Sequence, residues 1–444
     1  MARSIRIAGR SAVQPWCAAW WPAAACLALC GCVGPFLQGT ATTAESQKPV
    51  APDVQLVGSV AHPYGMTYTK IENVALVSGL PGTGEDPPPS PQRAAMLSEM
   101  HRREIENPNA VLASPATALV MVRGFLRPGI RAGERFDVEV RTPSRSDAKS
   151  LRGGYLLETR LTETAILGEQ LRKGHVLALA QGAILVDPSA DPDEDRALAT
   201  RGLVLSGGVA TKDRELGLIL DHENRSYRLS QSIAQAINLR FSLYVDGRKS
   251  GVANPKTPEF IELALHPRYQ DNVSRYMRVV RSIAVQESTL RRQARLTLLR
   301  EQLLDPVTAS AAALRLEAIG DDDAVAVLEE GAIAGDGEVR FYSAEALAYL
   351  DRTSAVDPLA KAAIDEPAYR INALAAMSAM KDGAAYHALR DMLPLASAET
   401  RYGAFRALWT MDATDPLVRG VLLGGKFRYH QLDVDGDPLI HATS

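Results

Sequence analysis

Several residue groups in this chain have the composition of a reactive or ligand-binding centre, and their spacing decides which could act as one. Gly79-Leu80-Pro81-Gly82-Thr83-Gly84 is rich enough in glycine to cradle a phosphate. It lacks the Gly-Lys-Ser/Thr ending that supplies the phosphate-binding amine and the metal-binding hydroxyl. These glycines therefore read as turn formers that tolerate positive φ. Asp433-Val434-Asp435-Gly436-Asp437 places carboxylates at alternate positions, as a calcium loop does, but position twelve of such a loop would be Ser444 instead of Glu. An exposed acidic tail, 431–444, is the simpler reading. The eight histidines form no H-x-x-x-H or H-E-x-x-H pair and no cysteine lies near them, so no zinc site is expected. No G-x-S-x-G elbow orders a serine nucleophile. The expectation is a protein that is not an enzyme, with no cofactor, no metal and no catalytic residue.

Arginine chemistry remains. Arg268, Arg275, Arg278, Arg281, Arg291, Arg292, Arg295 and Arg300 gather in one segment with few acids among them. A solvated helix face paired with acidic residues of neighbouring turns is one reading. The other gives Arg275, Arg278, Arg281, Arg291, Arg292 and Arg295 to an anionic envelope polymer or lipid headgroup, because guanidinium groups bind carboxylate and phosphate through bidentate forks. The whole chain has 49 basic and 52 acidic residues, a formal charge of −3, so it offers nucleic acid no global attraction.

These groups have to be held by folded elements, and the composition permits them. At 444 residues, 46% hydrophobic and 23% charged, the chain is expected to form two or three globular domains. All four cysteines, Cys17, Cys26, Cys30 and Cys32, lie near the start, where Arg3, Arg6 and Arg10 precede a long uncharged run. That is the layout of an export signal. Leu29-Cys30-Gly31-Cys32 resembles a lipoprotein cleavage box, which predicts a signal peptide over 1–31 and lipidation of Cys32. Cleavage near Gly31 without lipid and retention as a membrane anchor are the alternatives; Pro15 and Pro22 argue against the anchor. Export also disfavours nucleic acid as a partner.

A flexible tether is expected over 32–63, followed by an α+β domain over 64–285. In that domain Phe136, Val138 and Val140, and Leu177 and Leu179, alternate at the strand period. Strands are also expected at 214–220 and 241–245, and a helix at 229–239. From 286 to 430 the period becomes helical. Stacking Arg340, Arg370 and Arg401 aligns Ala346, Ala376 and Ala407, then Leu347, Met377 and Leu408, then Leu350, Met380 and Met411. A weaker copy aligns Leu316 and Ile319 with Leu347 and Leu350. This pattern resembles HEAT-like helix-pair repeats, an all-α solenoid whose copies bury their apolar faces on one another. A plain helical bundle is the alternative. Asp321-Asp322-Asp323 and Asp336-Gly337 fall in its turns.

One further block ties the α+β region to a family. Ser146-Asp147-Ala148-Lys149-Ser150-Leu151-Arg152-Gly153-Gly154-Tyr155-Leu156-Leu157, followed by Val176-Leu177-Ala178-Leu179-Ala180-Gln181-Gly182, resembles the paired signature of the bacterial flagellar P-ring proteins. Val77 to Glu85, Ala118 to Val122, Arg131 to Val140 and Ala234 to Asn238 are similar to further segments of that family. The family's C-terminal portion is not recognisable, and the helical repeats stand in its place. The resemblance implies a structural, self-associating ring subunit in the periplasm, around the flagellar rod. Its implied partners are rod and L-ring proteins and peptidoglycan, with membrane contact through the lipid anchor. Ser150, Leu151, Arg152, Gly153 and Gly154 would then supply an assembly contact; a bare turn before a strand is the alternative. An envelope lipoprotein adaptor, binding a protein through the repeats, is the runner-up function.

Overall fold

A computed structural model describes residues 54–442, apart from 168–169, 246, 425–426, 433 and 435–439. The signal segment, Cys32 and the carboxylates of the calcium-like loop lie outside the described residues.

The chain is already packed where a tether was expected to continue. The Val57 N–H donates to the Ile283 carbonyl at 2.9 Å, Leu56 bridges Ala284, and Val57 is fully buried. Strand β1, Ala61–Tyr64, follows at once. The expected tether boundary at 63 is therefore too late, because Val57, Val60 and Ala61 are apolar residues that fill the core.

A closed six-stranded antiparallel barrel comes next. It is built from β2 (Thr69–Ser78), β3 (Ala118–Leu126), β4 (Arg135–Arg141), β5 (Tyr155–Leu167), β6 (Gln170–Ala183) and β7 (Arg201–Ala210), in the order β2-β3-β4-β7-β6-β5. Closure leaves β2 paired on both sides, with Val74 opposite Met121 and Ser78 opposite Tyr155. Such a ring removes the unpaired edges of an open sheet. Ile71, Val77, Val120, Val122, Val138, Val140, Leu156 and Leu161 fill its interior. On β6 the fully buried residues are Ala178 and Ala180, not Leu177 and Leu179, which are half-buried. The strand expected there exists: Ala178 stands opposite Leu161, and half-buried Leu177, at a register shift in the β5–β6 pairing, still packs against the barrel core.

The outer face of β2 and β3 is covered by α1 (Pro91–Arg102) and α2 (Pro108–Leu112). Met96, Met100 and Leu112 pack there on Leu76 and Leu119. Ser90 starts α1 by accepting from the Arg93 N–H, and Pro91 occupies the first turn, where a missing N–H is tolerated. The Pro-rich run at 87–91 thus ends in a helix start, Ser90-Pro91. A one-turn helix, α3 (Arg196–Ala199), precedes β7.

After the barrel, β8 (Gly217–Leu220), α4 (Tyr227–Arg240), β9 (Ser242–Val245), β10 (Arg248–Gly251), β11 (Ala253–Pro255), β12 (Phe260–Leu263) and α5 (Val273–Arg281) follow. A sheet ordered β1-β8-β12-β11 carries α4 on one face. The rest is helical until a last hairpin. The helices are α6 (Thr289–Leu304), α7 (Pro306–Ile319), α8 (Asp322–Ala332), α9 (Gly337–Tyr349), α10 (Val356–Asp365), α11 (Pro367–Ser378), α12 (Gly383–Asp391) and α13 (Ala398–Met411). The hairpin is β13 (Val421–Leu423) with β14 (Phe427–Tyr429).

In the helical region α6 packs on α7, α8 on α9, α10 on α11 and α12 on α13, while α7, α9, α11 and α13 touch in succession. The aligned arginines share one role. Arg340 donates to the Ala334 carbonyl (2.8 Å), Arg370 to that of Ala363 (3.0 Å) and Arg401 to that of Leu395 (2.9 Å). Ala363 lies in the last turn of α10, and Ala334 and Leu395 lie in the loops that leave α8 and α12, so each arginine ties the start of its own helix to the segment before it. Ala346, Ala376 and Ala407 are buried, as are Leu347, Met377 and Leu408. Asp321 and Asp336 cap α8 and α9.

The boundary expected between 285 and 286 crosses a continuous core. The barrel has its own apolar cluster, but a single cluster runs from Val57 through the β1-β8-β12-β11 sheet, α4 and α5 to Val418.

Candidate functional site

The family-like segment 146–154 is a latch across one end of the barrel, built around a carboxylate whose role was not evident in the sequence. Glu85, only 8% exposed, accepts from the Ser146 hydroxyl and the Asp147 N–H. Its neighbour Thr83 accepts from the Lys149 N–H (2.9 Å) and donates to the Ser150 carbonyl (2.8 Å). Arg196, entering α3, donates to the carbonyls of Ala148 (3.0 Å) and Ser146 (2.6 Å). The Leu151 N–H closes the belt on the Ala199 carbonyl at 2.9 Å.

Within the expected contact set the residues divide by burial. Ser150, Leu151 and Gly154 are buried and cannot form a surface contact. Leu151 fills the barrel end, and a Cβ at Gly154 would lie 2.5 Å from Val77 Cγ1 and 2.9 Å from Leu80 Cδ2. Arg152 and Gly153 are exposed. The Arg152 guanidinium is occupied within the chain, donating from one nitrogen to the carbonyls of Asp187 (3.2 Å), Pro188 (3.2 Å) and Ala190 (3.0 Å). Gly153 turns the chain at φ +80°, with open space where a side chain would project. Tyr155 and Leu157, the next outward residues of β5, are 46% and 40% exposed.

The arginine segment is likewise not one free basic patch. Arg275 is buried between two carboxylates. Its Nη2 lies 2.6 Å from Glu317 Oε2 and its Nη1 2.5 Å from Glu345 Oε2. Tyr269 donates its phenol to Glu317 at 2.6 Å, and the Tyr349 ring stacks on Tyr269 and lies beneath the Arg275 guanidinium. Desolvation works to lower the Arg275 pKa, but Glu317 and Glu345 outweigh it and hold the group well above its ordinary value. Burial, then the charge of Glu317, pushes the Tyr269 phenol well up. Arg295 is also buried, paired with Glu287 at 2.8 Å, and desolvation lowers its pKa. Arg275 and Arg295 are therefore removed from the anionic-contact set, because each is enclosed and held by an internal acid. Arg292 pairs with Asp321, Arg300 with Glu330 and Arg268 with Asp351. Arg281 is half-buried beside the Gly58 carbonyl. Arg278 and Arg291 are exposed. Pairing with acids of the helical region accounts for most of this segment.

His266 adds a measurable property to the same junction. Burial, followed by the charges of Arg268, Arg240 and Lys381, lowers its pKa to about 4. A folded value below the unfolded value of about 6.5 means that the folded state favours the neutral ring. Its contribution is complete above about 6.5 and is lost as pH falls toward 4. Melting curves between pH 7 and 4.5 should therefore drop more steeply for the native chain than for His266→Gln; parallel curves would refute this.

Among the described residues no cluster of His, Cys, Asp and Glu could hold a metal ion, and no helix is long and apolar enough to cross a membrane.

With this geometry in hand, residues 57–297 match the family model described as flagellar P-ring protein. The chain is 29% identical over 232 residues to the flagellar P-ring protein of Thermotoga maritima, covering 50% of this chain and 64% of the relative. It is 27% identical over 240 residues to that of a Bradyrhizobium strain, covering 52% and 60%. With that of Paramagnetospirillum magneticum it is 28% identical over 246 residues, covering 51% and 58%. The alignments span less than two thirds of these relatives' length. The matched segment holds the barrel, the sheet and α5, and ends inside α6.

Proposed function

We propose, since the chain belongs to the flagellar P-ring protein family, that it is a structural subunit of the periplasmic ring around the flagellar rod. The observation that carries this reading is the family match over the barrel and its latch, whose buried belt presents Gly153, Tyr155 and Leu157 outward. A closed ring needs two different patches that meet head to tail. The outward side of the latch is one of them in this reading, and its direct partner is a second copy of the chain. Rod proteins, L-ring proteins and peptidoglycan are the further partners. Deleting the chain should remove the periplasmic ring from isolated basal bodies.

Three finer parts belong to the same proposal. The chain is divided into a signal over 1–31, a short tether ending before the packed residues at 56, a ring-forming α+β part and a helical part. The helical part is a short HEAT-like solenoid, supported by the repeated arginine contacts and by the successive packing of α7, α9, α11 and α13. Cys32 carries the lipid that tethers the protein in the periplasm. Replacing Cys32 by Ser should abolish incorporation of labelled fatty acid, and label retained on that variant would reject the anchor.

A further inference from the structure

We infer that β14 and the residues after it, to Leu432, form an acid-released strap that closes the end of the helical stack through His430. A stack of helix pairs leaves its last helix without a further pair to cover it. That helix is α13, packed on α11 and α12, and the spacing of Tyr402, Phe405 and Trp409 puts their rings along one face of it. The strap lies on this face. The His430 ring meets Phe405 edge to face at 4.9 Å between centroids and Trp409 at 5.7 Å. Half-buried Leu432 packs against the same apolar cluster as these two rings. The Gly420 backbone also closes on the imidazole, since a Cβ at Gly420 would lie 2.5 Å from His430 Nδ1. Further along, His441 stacks on Tyr402 at 4.6 Å.

This enclosure suits a neutral ring. His430 Nδ1 is buried and has no hydrogen-bond partner among the described residues, whereas an imidazolium carries a donor on each nitrogen. The charge that acts on it is that of Arg428, on its own strand, which is fixed by donating to the Arg419 carbonyl at 2.8 Å. The groups that α13 turns to it are the uncharged rings of Phe405 and Trp409, and the turn before β13 contributes the Gly420 backbone. Burial first, then Arg428, lowers the pKa of His430. Below the unfolded value of about 6.5 the ratio of released to closed strap therefore rises by up to about tenfold per pH unit, until the pH reaches the lowered value. Release uncovers Phe405 and Trp409, so the end of the stack is closed at neutral pH and open in acid. The strap lies outside the family-matched residues, and its action is independent of ring membership.

Trp409 reports on the strap directly, because the other tryptophans, Trp16, Trp20 and Trp21, lie in the segment 1–31. In the full chain with those three changed to Phe, acrylamide quenching of Trp409 should rise at least about twofold between about pH 8 and about pH 5, as the indole loses its cover. The far-ultraviolet spectrum should not change, which separates release of the strap from unfolding. His430→Phe keeps a ring that cannot take up a proton, so quenching of that variant should be independent of pH. Quenching of the His430 chain that is constant over this range, or an equal rise in His430→Phe, would overturn the proposal. So would quenching that falls in acid, which would mean that the two rings bind the imidazolium through their π-faces.

Discussion

Replacing Arg275 by Ala is expected to cost about 3–5 kcal/mol of folding stability, the largest single effect in the chain, because it strands two carboxylates in the core. Glu317 is fully buried and Glu345 nearly so, and the guanidinium between them is their cationic partner. The loss should extend beyond one helix. Arg275 belongs to α5, which follows the α/β sheet, whereas Glu317 is on α7 and Glu345 on α9. Urea unfolding followed by circular dichroism should show a lower midpoint for Arg275→Ala. An apolar replacement of all three residues, Arg275→Met with Glu317→Leu and Glu345→Leu, should recover most of the loss, since removing the whole network removes its desolvation cost as well. A cost under about 1 kcal/mol for Arg275→Ala would show that the acids are hydrated and that the network does not hold these helices on the sheet.

The second large effect separates folding from assembly within three consecutive residues. Gly154→Val should destabilise the barrel by about 3 kcal/mol, since its side chain would have to occupy the space of Val77 and Leu80 in a filled interior. Gly153→Trp meets open space, and its positive φ makes the cost one of backbone strain, about 1–3 kcal/mol. That variant should still fold, yet put an indole on the outward side of the latch and block ring assembly. Arg152→Glu should weaken the 187–190 loop through its three carbonyl contacts and reverse the charge beside Gly153. Thermal melts of the purified variants, set beside micrographs of basal bodies from cells expressing them, distinguish the two outcomes. Rings formed normally by folded Gly153→Trp protein would remove the latch from the subunit interface.

Much of the fold was legible because it rests on local regularities. The alternation of Phe136, Val138 and Val140 marks β4, and the recurrence of Arg340, Arg370 and Arg401 marks three helices in equivalent positions. What a pattern cannot carry is the partner across space. The Leu177 and Leu179 alternation located β6 but not its most buried residues, Ala178 and Ala180, because the register against β5 shifts beside Leu161. The arginines of α5 and α6 left two readings open, a helix face paired with acids or an anionic contact, because the acids that pair with them lie up to 70 residues on, at Glu317, Asp321, Glu330 and Glu345. Local sequence had one unused signal, Ser90-Pro91 at the start of α1. It gave no sign that Glu85 would be the buried acceptor of the latch, because Ser146 and Asp147 are about sixty residues away.

The most direct measurement of ring membership is electron microscopy of basal bodies from a strain lacking this chain, beside the same strain with the chain restored. The account predicts that the periplasmic ring is missing in the first and present in the second. A complete periplasmic ring in the deletion strain would contradict it and return the chain to the reading of an envelope adaptor that retains the ring-protein fold without building the ring.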